Sequence, residues 1–369
     1  MFKPDSVENV ATIRDFCAVD KDFALNSINA VPRRYTVPDF AIDPIRRSES
    51  DWSYMSSTTE TGSVYRDDEI SFMTSESERP SYRQFLANGY CRSRYFCHTE
   101  PPCTRAELEK IKKQFPDFTF LLFCGRGRFG NVWLVQDPSE QIIALKMLAQ
   151  TAFRHLKTEK DGLTAYRNKI RNFEHLVQIY HVGQTEDFFY YTMEAAYSIS
   201  NKFYIPITLA RLLEHYYFSP MDSADISCDI LDGLAVLHAN GLAHRDIKPE
   251  NIILVDNQIK ICDISLVSNK DKKSYAGTEF FIPQDIDDIP VEQFGVNCDL
   301  FAAGKVLYSV LANEKDITEF PQIDRDILKD NLAKKLNLIL NKACDPAYKN
   351  RFSSAYDFMQ AMSRIYAHA

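Results

Sequence analysis

The run His244-Arg245-Asp246-Ile247-Lys248-Pro249-Glu250-Asn251 brings a carboxylate, an ammonium group and a carboxamide close together. An aspartate such as Asp246 can orient a hydroxyl and receive its proton, and Lys248 can neutralise a phosphoryl group in transfer. Asn251 can hold a magnesium ion through its side-chain oxygen. Eleven residues after Ile252, Asp263 adds a carboxylate on the far side of two short apolar runs. Metal ligands, a cationic clamp and a proton acceptor are the components of in-line phosphoryl transfer. A solvated charge cluster has no need of this order and spacing.

Upstream stands Gly125-Arg126-Gly127-Arg128-Phe129-Gly130-Asn131-Val132. Glycines let a backbone bend over polyphosphate, with N–H groups meeting phosphate oxygens. The same string serves dinucleotide folds, where it opens a helix; here it leads into the strand-like Val132-Trp133-Leu134-Val135. The next apolar run contains Ala144-Leu145-Lys146, and strand alternation puts Ala144 and Lys146 on one face. Ala144 can then line an adenine pocket while Lys146 reaches phosphates.

These residues need elements to carry them. Thr104 followed by Glu107 is a capping-box pattern, and Leu108, Ile111 and Phe115 mark a short amphipathic helix stopped near Pro116. Apolar runs predict strands over 118–124, 131–137, 142–148, 177–182 and 188–193. Helical patterns follow over 223–240, 299–311 and 354–367, with short strands at 252–255 and 259–262 between the first two. A strand-rich lobe followed by a helix-rich lobe is an α+β arrangement with a ligand cleft at the junction.

In this order the motifs resemble the eukaryotic-type (Hanks-type) Ser/Thr protein kinase family, over roughly residues 117–367. Gly277-Thr278 looks like the substrate-facing end of an activation segment and Ile282-Pro283-Gln284 like its closing tripeptide. Asp299 with Gly304 is similar to the family's buried anchor helix, and the segment from Arg351 to Ala355 to its late arginine motif. Ala302 to Tyr308 and the Arg351 segment have a bacterial flavour. The resemblance implies a bilobal fold within 104–369, with lobes 104–193 and 197–369. It also implies ATP with Mg2+, or Mn2+ in its place, and protein substrates as acceptors, with autophosphorylation.

By position, Gly125, Gly127, Gly130, Val132 and Ala144 would surround the nucleotide. Lys146 would pair its phosphates, held by Glu159 on a helix, with Asp161 the weaker choice. Counting back from Leu176-Val177 lands instead near Thr164, which cannot form an ion pair. Met193 would stand behind the adenine, while Glu194 and Ala196 would offer backbone groups to its edge and Ile253 or Leu254 would cover it. Asn251 and Asp263 would be the metal ligands. Arg245 would receive a phosphorylated activation loop, with Ser274, Tyr275 and Thr278 as regulatory positions; the Thr278 hydroxyl has a competing role as a bridge between Lys248 and Asp246.

Two departures stand out. Asp263-Ile264-Ser265 ends in serine where the family has glycine, which disfavours a glycine-specific backbone state. Gln284 stands where a glutamate normally pairs with the late arginine, here Arg351, so the second charge is missing. Other function classes consistent with these residues are a non-catalytic scaffold on the same fold and a small-molecule phosphotransferase. Lys248 with Gly277-Thr278 argues against the latter.

Composition sets the frame. The chain has 369 residues, 45% hydrophobic and 25% charged, as expected of a globular protein. Its net charge of -8 argues against a dedicated nucleic-acid binder. No 18 consecutive apolar residues occur, so a membrane span is not expected, and the N-terminus lacks the apolar run of a signal peptide. Nine scattered cysteines fit reduced thiols and a cytoplasmic setting. Residues 1–103 read as a separate extension, with 13 Ser or Thr among residues 48–78. It is read either as a mobile or partner-binding tail, or as one whose acids and Tyr54, Val64 and Phe72 dock it on the folded part, which phosphorylates it. Cys91, Cys97, His98 and Cys103 lack knuckle spacing for zinc and are assigned to packing or an interface.

Overall fold

The computed structural model describes residues 79–88, 103–127, 130–150, 153–198, 204–270, 273, 277–318 and 320–366. The chain divides into two units, 1–48, which lies outside the described residues, and 49–369.

The β-rich lobe is built on a five-stranded antiparallel sheet. Its strands are β1 (Thr119–Gly127), β2 (Gly130–Gln136), β3 (Ile142–Ala149), β4 (Ile179–Gln184) and β5 (Phe188–Met193), in the order β1-β2-β3-β5-β4. Ahead of the sheet lie α1 (Tyr82–Asn88) and α2 (Arg105–Lys113). The expected capping box is formed: Thr104 Oγ1 accepts from the Glu107 amide, and the Glu107 carboxylate accepts from the Thr104 amide at 2.7 Å. Leu108 and Phe115 then bury against Phe123, Trp133, Val135, Leu145 and Met147 on one face of the sheet. Half-buried Cys103 packs on the same cluster; Cys91, Cys97 and His98 lie outside the described residues. Among the described residues no His, Cys, Asp and Glu group is arranged to hold a metal on its own.

On the other face runs α3 (Phe153–Lys169), followed by an irregular stretch before β4. The predicted strand over 177–182 begins two residues late. Leu176 and Val177 instead bridge to the helical lobe, the Val177 amide donating to Ile261 O at 2.9 Å.

The second lobe contains α4 (Leu209–His215), α5 (Pro220–Ala239), α6 (Val291–Ala312), α7 (Asn331–Ala343) and α8 (Ala355–Tyr366). Between α5 and α6 lie β6 (Leu242–Ala243), β7 (Ile252–Val255), β8 (Gln258–Ile261) and β9 (Ser268–Asn269), paired β6-β9 and β7-β8. Helix α5 starts three residues before the expected position, at a second capping box between Ser219 and Asp222. By length and composition α6 could cross a bilayer, but it is the lobe's core helix and is almost wholly buried. Its polar interruptions Asp299 and Lys305 break the run of apolar residues that a simple count requires.

The segment 79–88, assigned by sequence to the extension, packs on the helical lobe. Pro80 O accepts from the Tyr217 amide at 2.9 Å and Tyr217 O from the Tyr82 amide at 2.8 Å. Tyr82 stacks on Phe218 with ring centroids 4.8 Å apart, and Phe85 meets Tyr216 at 4.7 Å. Arg79 donates to Leu213 O at 2.7 Å, and Arg83 pairs with the buried Asp222 at 2.8 Å. The anchors expected at Tyr54, Val64 and Phe72 lie outside the described residues.

Candidate active site

Strand β3 presents Lys146 in the cleft, nearly fully buried. Its Nζ lies 3.0 Å from Glu159 Oε1 on α3 and 2.9 Å from Asp263 Oδ1 after β8. Burial alone would lower the ammonium pKa; Tyr191, Asp263 and Glu159 instead raise it well above the ordinary range. Lys146 is therefore a fixed cation tying three elements together. The competing positions do not approach it in this way: Asp161 is exposed, and the exposed Thr164 turns its hydroxyl to Lys160 O at 2.7 Å. The backward count to Thr164 fails because Leu176 and Val177 precede β4 rather than open it.

The glycine loop is described except at Arg128 and Phe129. It is the hairpin end of β1 and β2, with Gly127 paired to Gly130. A Cβ at Gly130 would come within 2.3 Å of Met147 O, so the close β2–β3 approach requires glycine there. Val132 pairs with Lys146, and Ala144 with Met193, across neighbouring strands. The Glu194 amide donates to Gln178 O at 3.1 Å, and the Ala196 carbonyl accepts from the Tyr204 hydroxyl at 2.7 Å. The Glu194 side chain turns away to Lys260, 2.9 Å from its Oε1. This ion pair linking β8 to the lobe junction has no counterpart in the sequence reading, because Lys260 in an alternating strand looks like a solvated residue.

The stretch from His244 to Asn251 is held from below by α6. Asp299 is fully buried; its Oδ2 accepts from the His244 amide at 2.8 Å and His238 Nε2 at 2.9 Å, and its Oδ1 from the Arg245 amide at 2.7 Å. Burial would raise this carboxyl, but the hydrogen bonds from His238 and the Arg245 amide, with the nearby imidazoles, hold it below its ordinary value. The bond to its amide fixes Arg245 at φ 72, a left-handed conformation unusual for a long side chain. The His244 ring completes the support: the Asp246 amide donates to Nδ1 at 3.3 Å, leaving Nε2–H to donate to Cys262 O at 3.0 Å. One imidazole thereby sets the spacing between Asp246 and Asp263.

At the centre the Thr278 hydroxyl donates to Asp246 Oδ1 at 2.8 Å and accepts from Lys248 Nζ at 2.8 Å. Asp246 Oδ2 is 3.2 Å from Lys248 Nζ and accepts from Asn251 Nδ2 at 2.9 Å. Asn251 Nδ2 also meets Asp246 O at 2.8 Å, so its amide is oriented by nitrogen. Gly277, just before Thr278, has φ 145 and would bring a Cβ within 3.1 Å of Arg245 O; glycine lets the chain pass the loop here. Asp263 has φ 55, and the buried Ile264 follows it. The Arg245 guanidinium donates to Asn269 O at 2.7 Å. Ser274 and Tyr275 lie outside the described residues, as does the Ser265 side chain.

The expected partner of Arg351 is corrected. Gln284 is exposed, and the carboxylate is supplied one residue later by Asp285, which forms a salt bridge with Arg351 Nη2. Arg351 also donates to Asn297 Oδ1 at 2.6 Å and Asp345 O at 2.8 Å, and Asp285 accepts from the Tyr348 amide at 2.6 Å. The closing segment is thus Pro283-Gln284-Asp285, and the missing second charge is present.

The sequence profile of the protein kinase domain matches residues 118–367. Calcium-dependent protein kinase 4 of Plasmodium falciparum (isolate 3D7) is 28% identical over 250 residues, 64% of this chain and 44% of that protein. Human serine/threonine-protein kinase H1 is 26% identical over 234 residues, 58% of this chain and 53% of that protein. The chain spans about half the length of these two relatives. Among solved structures, the kinase domain of Mycobacterium tuberculosis PknI superposes with a TM-score of 0.52 at 17% identity, covering 68% of this chain and 96% of that one; this likeness bears on the fold alone. With the profile covering well over half of its residues, and Lys146, Asp246, Asn251 and Asp263 gathered in one cleft, this chain belongs to the protein kinase domain family.

Proposed function

We propose that the chain transfers the γ-phosphoryl group of ATP to serine or threonine hydroxyls of protein substrates. The observation that carries this reading is the Thr278 hydroxyl bonded at 2.8 Å to both Asp246 and Lys248. A hydroxyl already sits where one oxygen can be oriented by a carboxylate and flanked by an ammonium, the arrangement an acceptor needs. Asp246 is the proton acceptor, and Lys248 neutralises charge on the transferring group. Lys146 aligns the phosphates, with Glu159 as its anchor. The Glu194 carbonyl and the Ala196 amide suit an adenine edge, with Ala144, Val132 and Met193 around it.

Membership of the family implies ATP with a divalent cation, and the donor set fits. Asn251 is oriented by its nitrogen, which leaves its hard oxygen for Mg2+, and Asp263 adds a carboxylate. The cation would supply charge neutralisation at the phosphates. The protein's residues orient the acceptor, hold its proton at Asp246 and fix Lys146. Arg245, bonded to the stretch after Asp263, suits a phosphorylated activation segment.

Radiolabel transfer to a peptide panel tests the reading. Asp246→Asn should abolish transfer while Mg-ATP binding, followed by calorimetry, survives. Asp263→Asn should weaken both. Undiminished transfer by Asp246→Asn would refute the proton-acceptor role.

A further inference from the structure

The pair Lys146–Glu159 has a third member that its mechanism does not require. Tyr191 on β5 pairs with Lys146 across the sheet, so their side chains leave the same face, toward α3. Tyr191 is fully buried, and its hydroxyl lies 3.0 Å from Glu159 Oε1. This is the oxygen that also lies 3.0 Å from Lys146 Nζ. The Tyr191 ring centroid is 5.7 Å from the same ammonium. Burial raises the phenol pKa well above its ordinary value, so the hydroxyl keeps its proton and donates.

Packing alone does not call for this oxygen. A phenylalanine would fill the same space, as the buried Phe189 does two positions away on the same strand. A buried hydroxyl is costly unless bonded, so its presence beside a carboxylate is a commitment to that bond. Nor is the bond redundant with the salt bridge. Lys146 divides its charge between Glu159 and Asp263 and, in the proposed reaction, turns toward phosphates. The C-terminal half of α3 has its own fixings: Tyr166 donates to Val177 O at 2.7 Å, and Gly162 lies close against Val267 O. In the half that carries Glu159, Lys146 and Tyr191 hold that carboxylate, while the neighbouring Lys160 reaches Gln184 Oε1 at 3.1 Å from a more exposed position.

We propose that Tyr191 is a positioning residue for the nucleotide: its hydroxyl holds Glu159, and with it α3, inward, so that Lys146 stays aimed at the phosphates when its charge is shared. The inference rests on the phosphoryl-transfer reading for its consequence in turnover, but not for its consequences in α3 and in nucleotide affinity.

The test is Tyr191→Phe, alone and combined with Glu159→Gln, in the full chain. In the nucleotide-free protein, Tyr191→Phe should speed amide exchange across residues 153–162 while the rest of the sheet keeps its protection. The Mg-ATP dissociation constant from calorimetry should rise several-fold. The kcat/KM for ATP should fall by about tenfold, the scale of one hydrogen bond to a charged group, with the peptide KM unchanged. In the Glu159→Gln background the effect of Tyr191→Phe on Mg-ATP affinity should shrink below about twofold, because the two act as one unit. Unchanged exchange and affinity in Tyr191→Phe, or an effect undiminished by Glu159→Gln, would overturn the proposal. A wild-type chain that binds Mg-ATP but transfers no phosphate would overturn the kinase reading instead, and the affinity cycle would still decide the role of Tyr191. A wild-type chain that does not bind Mg-ATP would overturn both.

Discussion

Replacing Asp285 with alanine should destabilise the helical lobe far more than replacing its neighbour Gln284. The Arg351 side chain is only 1% exposed, and Asp285 supplies the one carboxylate in its salt bridge. Its other described acceptors are Asn297 Oδ1 and the carbonyls of Asp345 and Pro346, all uncharged. Asp285→Ala therefore leaves a buried guanidinium without a counter-charge, a change that costs about 3–5 kcal/mol. It also removes the acceptor for the Tyr348 amide, which lies 2.6 Å away. In a domain of this size each kcal/mol moves the melting temperature by about 2–4 °C, so the drop should be about 6–20 °C. Gln284 is exposed and should change stability by no more than about 0.5 kcal/mol on truncation. Urea and thermal unfolding of Asp285→Ala, Gln284→Ala and Arg351→Ala, each followed by circular dichroism, compare the three. Comparable losses in Asp285→Ala and Gln284→Ala, or no loss in Asp285→Ala, would refute the pairing argument.

Thr278→Ala should lower kcat by about a hundredfold, within the range of a positioned proton-transfer network, whereas Thr278→Ser should retain most activity; a steady-state peptide assay separates them. Tyr82→Ala should cost about 3 kcal/mol because it empties a buried site stacked on Phe218; thermal unfolding checks this. Asp299, held below the ordinary carboxylate range against its burial by the hydrogen bonds from His238 and the Arg245 amide, contributes stability that is complete above the unfolded pKa and is lost as pH falls through the folded one. Asp299→Asn should therefore remove part of the stability present at neutral pH and flatten the decline below about pH 4, as read from urea midpoints across pH.

Much of the site was legible because its chemistry is local in sequence. The stretch from His244 to Asn251 and the strand carrying Lys146 need only short-range order to be recognised. Periodicity likewise revealed the strands at 142–148 and 188–193 to within a residue. The misses came where partners are remote. Arg351 meets Asp285 across 66 residues, and neither propensity nor spacing distinguishes Asp285 from Gln284 as the inward-facing position. Lys260 and Tyr191 look like ordinary strand residues until β8 and α3 bring Glu194 and Glu159 to them. Helix α1 was hidden for the same reason: a short amphipathic turn next to a Ser/Thr-rich stretch carries little signal without the surface that receives it.

The seat of α1 also sets a timetable for synthesis. Arg79 bonds Leu213 O across 134 residues and Asn313 O across 234. At about 5–20 residues per second, the ribosome makes Asn313 some 12–47 s after Arg79. For about the first 7–27 s of it, until Phe218 is made, Tyr82 and Phe85 have their aromatic faces uncovered, while the β-rich lobe is completed ahead of the surface they will occupy. The first described helix of the chain is thus among the last to find its place, and a factor that shields nascent apolar segments would have its longest task there.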